Sequence, residues 1–340
     1  MSSTSQVTTF SDLYTDLSNR VRVATGVTAT ENQAKRYINT ALWDMHVGWG
    51  EHFWWAHRSD VLRTHEPYTT GTVTVTVGST TLTGASTLWN TNNDFAEANM
   101  RAGGKFTVSG SDVYEISSVS SDTAAVLTQR YIAATGTAAT YTYYEDEYAL
   151  SGDFLRPLDL QLFSADLDIQ LIDPIEFRRR YPRNSTRGEP KVATLIAKDP
   201  SSSTAVRTRV RFHPAPADIY MVPYSFVTNK LAVGSSGTLA TALSSDADEP
   251  IVPLEYRHAI VLHALANWYR DKRDDDRHKD VWAQWSNLMT RITGDTRIGV
   301  QPRPRFAPRS GLQMARARYP WSGSGGGRYT TGTSFDQMRS

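Results

Sequence analysis

Four histidines near the start of the chain are the residues best suited to bind a metal ion, because imidazole nitrogen is a common metal ligand. They are His46, His52, His57 and His65. Two ligands on one helix face are three or four residues apart, whereas His52 and His57 are five apart. Nearby tryptophans and a phenylalanine indicate that these histidines border an aromatic core. We therefore expect no metal and no other cofactor.

Three carboxylates in the middle of the chain, Asp146, Glu147 and Asp153, could act as acid and base in a hydrolysis. A glycosidase needs two carboxyl groups facing each other across a cleft. The sequence does not set the separation of these three. A virion-associated hydrolase is therefore an alternative hypothesis, and the main expectation is that the chain is not an enzyme.

Two further motifs resemble ligand-binding loops only in composition. Asp271, Asp274, Asp275 and Asp276 lack the central glycine and final glutamate of a calcium loop. The glycine run at 323–327 lacks the lysine and hydroxyl residue of a phosphate-binding loop. The first motif is typical of a solvated loop between two helices, and the second of a flexible linker.

Arginine is concentrated in two places. Arg178, Arg179 and Arg180 could contact a neighbouring subunit or DNA. The segment 301–340 carries seven arginines and one aspartate, is rich in proline and glycine, and has no helical periodicity. Its candidate binding residues are Arg303, Arg305, Phe306, Arg309, Met314, Arg316, Arg318, Tyr319 and Trp321.

Three hypotheses fit this C-terminal arm. A proline- and glycine-rich end can be a disordered tail. Arginine and aromatic residues are also enriched among interface anchors, which favours an arm that becomes ordered on a neighbouring subunit. Nucleic acid is the third partner considered, since arginine neutralises phosphate and aromatic rings stack on bases.

The composition limits the class of protein. The chain has 340 residues, of which 39% are hydrophobic, so it can form two or three domains with cores of their own. Apart from the arm, residues 1–300 hold 29 basic and 34 acidic side chains, which argues against a general nucleic-acid-binding surface there. There is no cysteine, which excludes disulfides and thiolate sites. No run approaches the ~18 apolar residues of a membrane span, and no membrane partner is expected.

Apolar residues at helical spacing predict two N-terminal helices. Residues 9–22 form a short amphipathic pattern, with Thr9 or Ser11 as the capping residue. A second helix is predicted to start at Thr30, where Thr30 and Gln33 have capping-box spacing, and to continue to Trp49.

From Gly71 to Tyr144 the apolar period changes to two. Valines and threonines alternate over 72–77 and a Gly-Ser turn follows, which predicts a hairpin. Four more short strands are predicted in this region, at Lys105–Val108, Tyr114–Val119, Ala124–Thr128 and Thr137–Tyr144. Strands this short and closely spaced indicate a small β-sandwich or barrel.

The remainder of the chain mixes strands and helices. Strands are predicted at Val192–Ala197, Val206–His213 and Tyr220–Thr228, after a helix that starts at Pro174. Two amphipathic helices follow, the first starting at Pro253 and the second ending near Gly294.

These elements predict an α+β fold. Helices from both ends of the chain would form a bundle, with the small β-sandwich or barrel inserted, additional strands, and an extended C-terminal arm. The predicted segments are 1–65 (N-terminal helices), 66–147 (inserted β-rich domain), 148–250 (mixed helix and strand), 251–296 (C-terminal helix pair) and 297–340 (arm).

In its order of elements and in three motifs, the chain resembles the head-to-tail adaptor proteins of tailed bacteriophages, of the short-tailed type. The first motif runs from Asp146 to Pro157 and follows the Thr-rich insertion. The second runs from Arg207 to Tyr220, and the third from Glu249 to Tyr256, just before the final helix pair with Trp268 and Trp285. The resemblance covers most of residues 9–295.

The resemblance implies a structural virion protein that is made in the host cytoplasm and then lies at the head–tail interface. Such proteins form a ring, usually of twelve copies, that docks on the portal protein through the C-terminal arm. The tail, nozzle or tail-tube protein attaches below, and double-stranded DNA passes through the central channel without sequence-specific binding, including during genome ejection.

Besides the hydrolase, the Thr-rich composition of 66–147 leaves another class of function open. That segment could be an adhesin or tail-fibre-like module that binds a glycan or a cell surface. Binding by this segment would distinguish the module from the adaptor.

Overall fold

The structure is a computed structural model that describes residues 7–22, 28–48, 53–109, 111–162, 167–198 and 207–298. The chain divides into two compact units, Met1–Trp285 and Ser286–Ser340. Of the second unit only 286–298 are described, as helix. His52 and all nine arm residues named above lie outside the described residues.

The described part of the chain contains five α-helices, which are α1 (Phe10–Val21), α2 (Thr28–Trp43), α3 (Pro174–Arg180), α4 (His258–Asp271) and α5 (Asp275–Ile298). A π-helical turn spans Asp44–Gly48, and 3-10 turns span Trp54–Ala56 and Leu254–Tyr256. The first ten strands are β1 (His57–Arg63), β2 (Thr72–Val75), β3 (Thr81–Ala85), β4 (Lys105–Val108), β5 (Tyr114–Ser121), β6 (Ala124–Leu127), β7 (Gly136–Ala139), β8 (Tyr141–Tyr144), β9 (Glu147–Ala149) and β10 (Phe154–Leu162). The others are β11 (Leu167–Asp168), β12 (Gln170–Leu171), β13 (Arg187–Gly188), β14 (Val192–Lys198), β15 (Arg207–His213), β16 (Ala215–Pro216), β17 (Met221–Thr228), β18 (Ala232–Val233), β19 (Leu239–Ala240) and β20 (Glu249–Pro250).

Helices α1, α2 and α4 pack against one another. The predicted cap of α1 is confirmed: the Thr9 hydroxyl accepts from the Asp12 N–H, and the Asp12 carboxylate accepts from the Thr9 N–H. This capping box satisfies N–H groups that a helix start leaves without partners. The Phe10 N–H also donates to the Asp248 carbonyl at 2.8 Å, which ties the start of α1 to the loop before β20.

Three predicted helix boundaries are wrong. Helix α2 ends at Trp43, where the π-helical turn begins, and so does not run on as an α-helix to Trp49. Pro253 precedes a 3-10 turn, and α4 starts only at His258. Helix α5 passes through Gly294 and ends at Ile298, because an exposed glycine can stay helical at a modest free-energy cost.

The predicted hairpin is confirmed by the antiparallel pairing of β2 with β3. It belongs to a seven-stranded antiparallel sheet in the order β7-β2-β3-β6-β5-β4-β8, which curls into a half-barrel. Alternate side chains of each strand face inward, and the core includes Trp89, Phe106 and Tyr141. The Trp89 Nε1–H donates to the Tyr141 hydroxyl at 2.8 Å, so a polar atom in this core is satisfied.

Two four-stranded sheets outside the insertion share a second core. Their strand orders are β1-β17-β10-β11 and β12-β14-β15-β9. The core between them includes Val210 and Phe212 from one sheet and Val222 and Phe226 from the other. Consecutive strands β11 and β12 connect the two sheets on one side, and β1 and β9 are edge strands. We call this pair of sheets the sandwich.

The predicted fold class, a helical bundle with a small inserted β domain, is wrong. The protein is sheet-rich, with 32% of the described residues in strands, so helices do not form the body. The error has a physical cause. The strands after residue 146 and strand β1 pair over long sequence distances and build a core of their own, and short-range periodicity does not reveal such pairing. The insertion itself is a half-barrel formed by one curled sheet, and not the small β-sandwich or barrel predicted from the sequence.

Candidate functional site

A groove lies beside strands β1 and β9. Its cavity is about 540 Å³ and is lined by residues 60–63 of β1, 147–152 from β9 onward, and 101–104 before β4. Among the described strands, β1 pairs only with β17 and β9 only with β15. The groove therefore lies between the free edges of two strands, at the open side of the sandwich. We call it the edge groove.

The hydrogen bonds of β1 show which backbone groups face its free edge. The Thr64 N–H donates to the Tyr220 carbonyl at 2.9 Å. In an antiparallel pair such bonds involve every second residue, so Asp60 and Leu62 bond toward β17 as Thr64 does. The N–H and C=O groups of Ser59, Val61 and Arg63 then point away from β17. Accordingly, the Val61 N–H donates to its neighbour's carboxylate, Asp60 Oδ1, at 2.8 Å.

The same reasoning applies to β9. The Phe212 N–H donates to the Asp146 carbonyl at 2.9 Å, and the Leu150 N–H donates to the Thr208 carbonyl at 3.1 Å. These two bonds show that the even-numbered residues bond toward β15. The backbone groups of Glu147 and Ala149 therefore point to the free side of β9.

Three consecutive carboxylates connect the half-barrel to the sandwich and point to opposite sides. Glu145 and Glu147 line the edge groove, whereas Asp146 lines a second cleft of about 400 Å³. Strand geometry sends successive side chains to opposite faces, and this alternation places the three carboxylates in two different environments.

Cations hold the carboxylates of the edge groove. Arg101 Nε donates to Glu145 at 2.8 Å, and Arg63 Nη2 donates to Glu97 at 2.7 Å. The second guanidinium nitrogen of Arg101 lies 3.1 Å from Glu97, so Arg101 bridges the two acids. Burial disfavours the charged form of Arg101, but the nearby Glu145 carboxylate favours that form more strongly. The pKa of Arg101 is therefore raised. The carboxylates of the edge groove are therefore largely neutralised by the arginines beside them.

A wall of aromatic side chains adjoins the edge groove: His65 and Tyr148 line the groove itself, and Tyr143 lines a smaller neighbouring cleft. The Tyr143 hydroxyl donates to Glu145 at 2.6 Å. The ring of His65 stacks on Tyr148 at 5.7 Å between centroids, and His65 Nδ1 lies 3.3 Å from Glu97. Burial lowers the pKa of His65 and raises the pKa values of Tyr143 and Tyr148. At neutral pH this wall presents uncharged rings to the carboxylates.

Two glycines let the backbone approach this wall closely. Gly103 has φ of 88°, in the left-handed region that favours glycine. A Cβ on Gly104 would lie 2.2 Å from a ring carbon of Tyr143. The turn before β4 therefore depends on glycine for both its conformation and its packing.

On the other side of the junction, Asp146 is buried with 1% exposure. Its Oδ2 accepts from Arg211 Nε and from the Asn184 amide, each at 2.8 Å. Its Oδ1 has no hydrogen-bond partner among the described residues and lies 3.9 Å from Lys105 Nζ. Lys105 also contacts Glu147 at 3.3 Å. This cluster fixes the end of the half-barrel to β15 of the sandwich.

The residues considered for chemistry are not brought together. Asp146 and Glu147 line different clefts, and Asp153 lies 3.6 Å from Lys230. His46 donates from Nε2 to the Thr228 carbonyl at 2.7 Å, away from His65 in the edge groove. Within the described ranges, no group of three or more His, Cys, Asp or Glu side chains could hold a metal.

The aspartates near α5 stabilise helix contacts and a helix start. The Asp274 carboxylate accepts from the Arg277 N–H at 3.3 Å, and its backbone carbonyl accepts from the His278 N–H. Asp271 accepts from the Tyr37 hydroxyl.

The three arginines of α3 are exposed. Arg180 forms an ion pair with Glu176 one turn earlier. They do not line the edge groove, and beyond them Arg183 pairs with Asp112 at 3.1 Å across the second cleft. Their contact with a subunit or with DNA stays a prediction.

Several residues of the edge groove were not singled out from the sequence, notably Glu97, Arg101 and Glu145. The Glu-Asp-Glu run at 145–147 could have indicated Glu145, because successive side chains of a strand point to opposite faces and three consecutive acids therefore place carboxylates on both. Glu97 and Arg101 lie in an irregular segment that no periodicity marks.

No known protein family matches this chain, and no curated protein is significantly similar to it. None of the helices in the described ranges is long and apolar enough to span a membrane.

Proposed function

We propose that this protein is a structural component of a tailed-phage virion, a head-to-tail adaptor that forms a ring on the portal protein, with twelve copies as in the proteins that it resembles. The observation that carries a role in assembly is the edge groove. Two strands with outward-facing backbone groups border it, and edge strands are templates for pairing with another chain. The phage context comes from the resemblance in the order of elements and motifs.

The pairing of charges in the edge groove supports binding over hydrolysis. Glu97 and Glu145 are each held by Arg101, and Glu147 by Lys105. A general acid or base must be free to exchange a proton with a substrate, whereas paired carboxylates are suited to fixing a surface that a partner recognises.

A ring needs two different surfaces on each subunit, because a closed ring is built from head-to-tail contacts. The edge groove is one candidate surface. The exposed arginines Arg178, Arg179 and Arg180 on α3 are a second, for a neighbouring subunit or for the DNA in the channel. The net acidity of residues 1–300 would keep the channel from holding DNA by charge. The arm residues from Arg303 to Trp321 remain the proposed contacts with the portal or a neighbouring subunit, and the tail, nozzle or tail-tube protein would attach below.

The test is to image the purified full-length protein, alone and mixed with the portal protein of its own virus. We expect rings on the portal and loss of portal binding in a variant with Arg303, Arg305 and Arg309 changed to alanine. The matched control changes Arg178, Arg179 and Arg180 instead, and it should still bind the portal. Unchanged portal binding by the arm variant, or a wild-type protein that ignores the portal, would refute the proposal.

One observation favours the second candidate, a module that binds a glycan or a cell surface. Val77 and Ile132 are 56% and 71% exposed on two adjacent loops of the half-barrel. The loops are joined by a 2.7 Å bond from the Gly78 N–H to the Tyr131 carbonyl. Binding of the full chain to glycans or host cells, abolished by Val77→Ser with Ile132→Ser, would support this candidate.

A further inference from the structure

We propose that the edge groove binds an extended strand from a second copy of this chain, formed by the segment Gly311–Tyr319, which pairs with β1. This inference rests on the proposed function in one respect, that copies of the chain assemble. It adds the site on the body and the segment that fills it.

The backbone of β1 specifies the kind of occupant. Ser59, Val61 and Arg63 present N–H and C=O groups at every second residue of the free edge. This is the pattern that an added β-strand satisfies. A globular or helical partner would leave these groups to water. An extended chain is therefore the occupant that the backbone fits.

The Val61 N–H is occupied by the carboxylate of Asp60 at 2.8 Å. Charged side chains on edge strands protect against indiscriminate pairing. An incoming strand must displace Asp60 from this N–H, and it must offer the carboxylate a new partner. A basic side chain on the incoming strand does so, because it forms a charge-assisted hydrogen bond with the released carboxylate.

The charge of the edge groove points the same way. Four carboxylates line it, from Asp60, Glu97, Glu145 and Glu147, against three guanidinium groups. Arg63, Arg101 and Lys105 hold the three glutamates, whereas the Asp60 carboxylate accepts from the neutral Tyr224 hydroxyl and the Val61 N–H. A strand that carries arginine on the face toward the groove complements this charge.

Apolar side chains are exposed on the outer face of β1 and β17, where an added strand would lie. Val61 and Met221 are 55% and 50% exposed. Val61 pairs with Pro223 and Arg63 with Met221 across β1 and β17, so these side chains share the outer face of that sheet. Phe95 is exposed at the rim, 3.8 Å from the Arg63 guanidinium. An added strand would cover part of this face.

One segment of the sequence has the required pattern. Residues 311–319 read Gly-Leu-Gln-Met-Ala-Arg-Ala-Arg-Tyr and contain no proline. In an extended strand, Leu312, Met314, Arg316 and Arg318 share one face, with apolar residues followed by two arginines. The other face carries Gln313, Ala315, Ala317 and Tyr319. The first face fits the groove side of β1, which carries Asp60 and Leu62. The second face, with its two alanines, then lies on the outer side with Ser59 and Val61.

The absence of cysteine from the chain makes a direct test possible. Full-length Ser59→Cys protein is mixed with full-length Ala315→Cys protein, and separately with Ala317→Cys protein, under mild oxidation. Mass spectrometry then detects the disulfide between position 59 of one copy and position 315 or 317 of another. The matched control replaces Ser59→Cys with Ser118→Cys, at an exposed position of the half-barrel.

We expect the cross-link with position 59 and little with position 118. Adding Val61→Pro should lower its yield about fivefold, the effect of removing one backbone hydrogen-bond donor. Proline is tolerated where a strand N–H faces outward, so the pairing of β1 with β17 should survive. Val61→Thr keeps the donor and should keep the yield.

Equal cross-linking at positions 59 and 118, or a yield that Val61→Pro leaves unchanged, would overturn the proposal. No disulfide between the two single-cysteine proteins would overturn the role of a second copy. The test contains no portal protein, so its failure is distinct from a failure of portal binding.

Discussion

Arg211 Nε donates a 2.8 Å hydrogen bond to Asp146 Oδ2, and this contact joins β15 of the sandwich to the last residues of the half-barrel. Asp146 is buried, whereas the Arg211 side chain is 26% exposed. The ion pair is therefore intermediate in burial between a core pair and a surface pair. The free-energy cost of removing Asp146 depends on the donors that it leaves without this carboxylate.

We expect Asp146→Ala to lower the free energy of unfolding by about 2–3 kcal/mol, because it removes the carboxylate that Arg211 pairs with and one of the two acceptors of the buried Asn184 amide. Urea denaturation measures this change. The control is Asp112→Ala, which breaks the exposed pair with Arg183 and should cost less than about 1 kcal/mol. Equal losses in the two variants would contradict the role assigned to Asp146.

Gly104→Ala should destabilise the protein by about 1–3 kcal/mol, because the added methyl group would overlap the Tyr143 ring and overpack a tight site. It should also disturb the contact between Tyr143 and Glu145. The control is Gly152→Ala, where no atom lies within 4 Å of the new Cβ. The melting temperatures of both variants measure this loss. An unchanged melting temperature for Gly104→Ala would contradict the prediction and show that the turn can shift to make room.

Stability should fall as the pH drops below about 6.5, in part through His263. Burial lowers the pKa of this side chain in the folded protein, despite the nearby carboxylate of Asp44. The unfolded chain then binds the proton first, so the stability present above the unfolded pKa of about 6.5 is lost on acidification. The loss from one such group is at most about 1.4 kcal/mol per pH unit.

His263→Phe removes this titration and keeps a ring against Trp285, whose centroid lies 4.5 Å away. Denaturation at about pH 7.5 and about pH 5.5 should therefore show a smaller difference for the variant than for the wild type. A difference of the same size would mean that His263 does not contribute to the acid sensitivity.

Substitutions within one turn of helix α3 should differ greatly in their effect on stability, because Phe177 is buried and the arginines after it are exposed. Phe177 is 1% exposed and packs edge-on to Tyr181. Phe177→Ala should therefore cost about 3–5 kcal/mol through the cavity it leaves. Arg178→Ala with Arg179→Ala should change stability by less than about 0.5 kcal/mol, since both side chains are exposed. A large loss in the double variant, measured by urea denaturation, would show that these arginines hold the fold.

Local features of this fold could be predicted from the sequence, and distant pairings could not. The capping box of Thr9 and Asp12 and the hairpin of β2 with β3 involve residues close together, whose spacing carries the information. The paired residues Asp60 and Tyr224 are 164 positions apart in the chain. Strand alternation shows that a segment is a strand, but it does not show its partner.

The same limit applies to the candidate site. Asp146 and Glu147 were noticed as carboxylates, and their assignment to opposite clefts follows from strand geometry. Their cations, Arg211 and Lys105, come from strands far away in the sequence. Nothing in the sequence around these cations distinguishes them from the other basic residues of the chain.

The long-range pairing of β1 sets an order for folding during synthesis. All strands of the half-barrel have been made once Tyr144 leaves the ribosome, and their pairings are local. Strand β1 is made earlier, yet His57 must wait for Val227 before it can pair. We expect the half-barrel to fold first, since nearby contacts form fastest. The earliest strand of the chain is then among the last to be paired, and it is the segment that nascent-chain chaperones would protect longest.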